Sequence, residues 1–125
     1  MVRTAKAPPL EGFGAAVSII GGGLAGLSLS ILLSKAGHKV FLFEKENYPF
    51  HRVCGEYISL ESWSFVNQLG LDLPSLNLPI IKKLIVSSPS GDFIQNKLDL
   101  GGFGISRFFI DNELKKIDIK NGVVL

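Results

Sequence analysis

An α/β fold is predicted, opening on a parallel βαβ unit whose sheet is incomplete and passing into an antiparallel β piece. Three features carry this expectation. The apolar run Val17–Ile20 enters the glycine cluster Gly21-Gly22-Gly23, and a largely apolar stretch without proline follows to Ala36. A second apolar run, Val40–Phe43, ends on Glu44. Further on, two strand-like arms flank Pro89-Ser90-Gly91, as in a hairpin.

In order, residues 1–14 have little periodicity, two adjacent prolines and two basic residues, and are expected to form a flexible tail. Val17–Ile20 is β-branched apart from Ser18 and short enough to be a strand buried on both faces. Leu24–Ala36 is expected to be a helix, with Ala25, Leu29, Leu32, Leu33 and Ala36 on one apolar face. Lys35 suits the negative end of its dipole, and Gly37 stands where a left-handed cap belongs. Lys45–Tyr57 carries Pro49 and Gly55 without a helical period and is expected to be a loop of functional length. Leu60–Leu69 suits a helix capped by Ser59 and stopped by Gly70, and Leu71–Pro79 is a connector. Ile80–Ser88 and Phe93–Leu100 form the hairpin, with Ile94, Leu98 and Leu100 on one face. Gly101–Ser106 is expected to be a glycine-rich turn, Arg107–Ile117 a helix, and Gly122–Leu125 the start of a further strand. The expected divisions are thus 15–79 for the dinucleotide unit with its loop and helix, 80–103 for the hairpin of a second domain, and 104–125 for a return to the first.

Composition narrows the function classes. Among 125 residues, 13 basic against 11 acidic side chains give a net charge of +2, too little to argue for a nucleic-acid partner. The single cysteine, Cys54, forms no internal disulfide and fits a cytoplasmic setting. Residues 17–33 are apolar enough to weigh as a membrane anchor. They fall short of the ~20 apolar residues that a span needs and contain four glycines and three serines. No stable membrane insertion is expected, at most peripheral contact. No spacing suggests a metal site.

The chemistry sits in Gly21-x-Gly23-x-x-Gly26. Gly21 makes the tight turn out of the strand, Gly23 lets backbone approach a pyrophosphate, and Gly26 lets the helix lie close on the sheet. The N–H groups of Leu24 and Ala25 open the helix and face the phosphates with the dipole behind them. Glu44, twenty-three residues after Gly21 at the end of the second strand, is placed to accept from the adenosine ribose hydroxyls. This is a Rossmann-like dinucleotide signature; the competing reading is a glycine-rich turn in an unrelated α/β protein. A nicotinamide domain continues at once into another helix and parallel strand. Here a loop, one helix and an antiparallel hairpin intervene, which favours FAD.

Ile19–Glu44, the segment Pro49-Phe50-His51-Arg52-Val53-Cys54-Gly55-Glu56, and Gly104-Ile105-Ser106-Arg107 with Asp111 and Leu114 occur in that order. Together they resemble FAD-dependent oxidoreductases of the geranylgeranyl reductase type, a group related to the flavoprotein aromatic hydroxylases and built on the glutathione reductase-type cofactor fold. The resemblance implies a cofactor-binding set of Gly21, Gly23, Leu24, Ala25 and Gly26 at the pyrophosphate and Glu44, with Lys45 beside it, at the ribose. It places Arg52, Cys54 and Gly55 on the flavin side and Arg107 on the phosphate or ribityl portion. It also implies a flavin enzyme that draws electrons from NAD(P)H and acts on a small, apolar or aromatic substrate, as a reductase or a monooxygenase. No catalytic residue is assigned and no oligomeric state is indicated. Arg107 has a competing reading as a surface ion pair with Asp111, and Cys54 as a small, inert, buried residue. The chain is expected to be an N-terminal portion that retains little flavin by itself, the alternatives being an inactive dinucleotide-binding remnant and a membrane-anchored protein.

Overall fold

The computed structural model describes residues 15–125; the expected tail lies outside them. Strands β1 (Val17–Ile20) and β2 (Val40–Phe43) run parallel, pairing Val17 with Val40 and Ile20 with Phe43. Helix α1 (Leu24–Lys35) makes the crossover between them. The chain's last residues extend this sheet. Val124 pairs in parallel with Phe41, accepting from the Leu42 N–H at 2.8 Å and donating to the Val40 carbonyl at 3.0 Å. The outer edge of β1 carries no strand among the described residues.

The second sheet has three antiparallel strands in the order β3 (Tyr57–Ser59), β5 (Phe93–Gly104) and β4 (Ile80–Ser87). Two expectations are corrected here. The stretch expected to be a glycine-rich turn, Gly101–Ser106, instead continues β5 through Gly104, between β3 and the start of β4. Its glycines serve close approach: a Cβ on Gly102 would overlap the Tyr57 ring, and Gly101, at φ 79°, sits at the register shift between Ile81 and Lys83. The loop after Glu44 ends at Glu56 because Tyr57 already belongs to β3, a strand of three residues and too short to display a period.

Leu60–Ser62 forms a 3₁₀ turn before α2 (Trp63–Leu69), with Ser59 accepting from the Glu61 N–H at its start and Gly70, at φ 115°, closing the end. A further 3₁₀ turn, Leu73–Leu76, lies inside the expected connector. Helix α3 (Arg107–Lys120) is capped by the Ser106 hydroxyl, which accepts from the Phe109 N–H at 3.2 Å. It packs along α1, whose other side meets β1 and β2.

The core gathers Leu27 and Ile31 of α1, Ile110 and Leu114 of α3, Val40 and Leu42 of β2, and Phe103 of β5, the last edge-on to Trp63 at 5.0 Å. The buried face of α1 is not the expected one. Leu27, Ser30 and Ile31 are buried, whereas Ala25 and Ala36 are exposed and Leu29 and Leu32 are 47% and 44% exposed. Apolar residues surround this helix almost evenly, so spacing alone does not choose a stripe. The stripe that faces the core includes a serine, which apolar spacing passes over. The hairpin's apolar face is likewise uncovered, with Ile94 73% and Leu100 51% exposed. No helix among the described residues is long and apolar enough to cross a membrane.

Candidate dinucleotide site

The turn between β1 and α1 is built as the glycine spacing requires. Gly21 takes a left-handed φ of 102°, which only glycine adopts freely, and donates to the Phe43 carbonyl at 2.7 Å. A Cβ on Gly26 would overlap the Gly21 carbonyl oxygen and lie 3.5 Å from Ile19 Cγ2, so helix and turn are packed to glycine distance. Gly23 caps α1 without a side chain. The N–H groups of Gly23, Leu24 and Ala25 take no partner among the described residues. Such amides, with the positive end of the helix dipole behind them, form an anion cradle. Arg107, at the start of α3, comes to the same place: its Nη2 lies 3.7 Å from where a Gly23 Cβ would stand.

Glu44 closes the other side. Its carboxylate, with the side chain only 6% exposed, accepts from the Gly22 N–H at 2.8 Å, the Glu46 N–H at 3.1 Å and Arg52 Nη2 at 3.0 Å. Burial disfavours its charge, but the N–H groups of Glu46, Gly22 and Lys45 and the Arg52 charge outweigh that, and its pKa lies below the ordinary value. It is therefore an ionised acceptor.

From Glu44 an alternating ionic chain runs to the helix cradle. Arg52, lying over the Phe50 ring at 4.4 Å, bridges Glu44 to Asp111, with Nε 3.4 Å from Oδ2. Arg107 grips the same Asp111 through Nε and Nη2 at 2.9 and 2.8 Å. The competing reading of Arg107 as an ion pair with Asp111 thus holds in part, but the pair is not superficial: the Asp111 side chain is 3% exposed. Its hydrogen bonds push the Arg107 pKa above the ordinary value, with a further contribution from Cys54.

The structure therefore brings Gly21, Gly23, Leu24, Ala25, Gly26, Glu44, Arg52 and Arg107 together. Arg52 stands at the Glu44 end of this chain. Cys54 is exposed, contrary to the buried reading; its sulfur accepts from the Glu56 N–H at 3.4 Å and lies within reach of Arg107. Gly55 adjoins it in the exposed loop, with open space where a Cβ would stand. Lys45 is not brought in: it points to solvent, 3.8 Å from Glu46. His51 stacks on Phe108 at 4.6 Å.

Sequence reasoning missed Tyr48, whose hydroxyl donates to the Gly22 carbonyl. The available signal was Gly22 itself, a glycine that the fingerprint does not demand. It also gave Asp111 too small a part, since this one carboxylate holds both arginines.

Comparisons with known proteins agree with this geometry. A family model described as an NAD(P)-binding Rossmann-like domain matches residues 19–56, the β1–α1–β2 unit and the following loop. Conditioned medium factor receptor 1 of Dictyostelium discoideum is 29% identical over 103 residues, which cover 81% of this chain and 18% of that protein. Among solved structures, a flavin-dependent brominase superposes with a TM-score of 0.68 at 25% identity, over 86% of this chain and 27% of its own. A geranylgeranyl bacteriochlorophyll reductase-like protein from Thermoplasma acidophilum gives 0.66 at 22% identity, over 87% and 28%. The p-nitrophenol 4-monooxygenase of Pseudomonas putida gives 0.71 at 18% identity, over 87% and 30%. The chain spans under a third of the length of each of these relatives.

Proposed function

Because the chain carries the N-terminal portion of the FAD-dependent oxidoreductase fold, we propose that it holds the adenosine diphosphate half of FAD within a flavin-dependent reductase or monooxygenase. The observation that carries the choice of FAD is the path after Glu44. The chain does not proceed at once to the next crossover helix. It loops back so that Arg52 meets Glu44, builds the antiparallel sheet, and returns α3 with Arg107 against the glycine turn.

The residues present fit such a ligand. Unpartnered N–H groups at Gly23, Leu24 and Ala25 suit phosphate oxygens, and a side chain at Gly26 has no room. Ionised Glu44 suits the ribose hydroxyls as an acceptor and disfavours a 2′-phosphate by charge. Arg107, permanently protonated and beside Gly23, supplies the cation for a diphosphate. When bound, FAD supplies hydride acceptance and oxygen chemistry, and the protein's task is to position it. NAD(P)H as electron donor and a small apolar or aromatic substrate complete this reading.

Titration of ¹⁵N-labelled protein with FAD, ADP and NADP⁺ tests it. FAD and ADP are expected to shift the amides of Gly21 to Ala25 and of Glu44 at millimolar or lower concentration, with NADP⁺ weaker. Resonances at those positions that stay still with all three ligands would overturn the proposal.

A further inference from the structure

The fingerprint demands glycine at residues 21, 23 and 26 and leaves the intervening position open. In this fold Gly22 is nonetheless held on both sides. Its N–H donates to Glu44 Oε2 at 2.8 Å, and its carbonyl accepts from the Tyr48 hydroxyl. A Cβ on Gly22 would overlap that hydroxyl and meet Glu44 Cβ at 3.0 Å. Gly22 is not among the residues with positive φ, so the need for glycine is one of space rather than of backbone conformation.

The Gly22 carbonyl and the Gly23 N–H belong to one peptide unit. In a trans peptide these two groups point in opposite directions. Anchoring the carbonyl on Tyr48 therefore turns the Gly23 N–H away from Tyr48, and that N–H is one of those with no partner among the described residues.

We propose that Tyr48 is a positioning residue of the phosphate turn: its hydroxyl fixes the Gly22–Gly23 peptide so that the Gly23 N–H stays available to an anionic ligand oxygen, and its presence is what makes Gly22 obligatory. This rests on the reading of the turn as a diphosphate site. Burial, and then the negative charge of Glu44, push the Tyr48 pKa up, so the phenol remains a donor across the neutral range. The ring itself is seated against Phe50, with centroids 5.4 Å apart, which gives the hydroxyl a fixed origin.

A cycle of Tyr48→Phe, Gly22→Ala and the double variant tests the proposal in two arms. Without ligand, amide spectra and thermal unfolding are recorded. Tyr48→Phe is expected to move the Gly23 and Leu24 amide resonances while the rest of the spectrum is kept. Gly22→Ala is expected to lower the melting temperature at least twice as far in the Tyr48 protein as in the Tyr48→Phe protein. The contacts left in that background, ring carbon Cζ at 3.1 Å and Glu44 Cβ at 3.0 Å from the added methyl, need to yield only a few tenths of an ångström. With ligand, Tyr48→Phe should bind ADP about threefold to tenfold more weakly, the range one lost hydrogen bond commands. Equal cost of Gly22→Ala in both backgrounds, with an unmoved Gly23 amide, would overturn the proposal. If the parent protein binds no ADP, the diphosphate reading fails, while the ligand-free arm still decides whether Tyr48 sets the turn.

Discussion

Ser30 and Asp118 show how much one proton decides. The Ser30 hydroxyl lies 2.9 Å from the Leu27 carbonyl and 2.6 Å from Asp118 Oδ1, yet a hydroxyl has one hydrogen to give. Below about pH 6 a protonated Asp118 can donate to Ser30, leaving Ser30 to donate to Leu27; above it Ser30 donates to the carboxylate instead. Burial pushes the Asp118 pKa up to about 6, the contact with Ser30 only partly opposing it. An acid whose pKa is raised on folding stabilises the fold fully below its unfolded value near 3.8, and that contribution is lost as pH rises through about 6. Asp118→Asn keeps a donor toward Ser30 without the charge. It should raise stability at pH 7 by on the order of 2–3 kcal/mol and make little difference at pH 4, as thermal unfolding of the two proteins at both pH values will report. An equal effect at both pH values would contradict the raised pKa of Asp118. None of this was legible in the sequence, because Ser30 and Asp118 are 88 positions apart and each is unremarkable on its own helix.

At the scale of elements, what could be read depended on whether a pattern was local. Strand β1, the glycine turn, α1 and β2 could be placed from consecutive residues, since apolar runs, glycine spacing and caps act within a few positions. The face that α1 buries could not, because a helix apolar on nearly every side takes its orientation from the elements packed against it. Strand β5 was shortened in the reading because glycines also signal turns; only the ring of Tyr57, lying over Gly102, shows why they are strand residues. The ionic chain binds such elements together. Asp111 on α3 carries both Arg107, of its own helix, and Arg52, of the loop after β2. Asp111→Ala would leave two partly buried guanidinium groups without their shared partner. Destabilisation of about 2 kcal/mol is expected, less than for a fully buried pair because both arginines retain some solvent. Chemical denaturation measures it, and a loss below ~0.5 kcal/mol would mean that the chain of charges is ornamental.

Over the whole molecule, two sheets are tied through the corner at the glycine turn. The β1–β2 sheet supplies the glycine turn and Glu44, and α3, entered from β5, brings Arg107 back to that turn. The general fold and most of this corner were legible: the glycine fingerprint, the acid ending β2 and the arginine opening α3 all lie at the turn or the charge chain beside it. Tyr48 escaped notice because a tyrosine before a proline in a loop carries no periodic signal, and the Lys45 side chain turns to solvent, as adjacency to Glu44 along a strand end says nothing about direction. The central proposal is that Gly21–Gly26 and Glu44 together hold the adenosine diphosphate half of FAD. The most direct test is the FAD dissociation constant of Glu44→Gln beside that of the parent protein, measured by flavin fluorescence, with the amide spectrum confirming that the variant is folded. The account predicts binding weakened about tenfold, as expected when a charged acceptor of hydroxyl hydrogen bonds becomes neutral. An unchanged constant in a folded variant would contradict it.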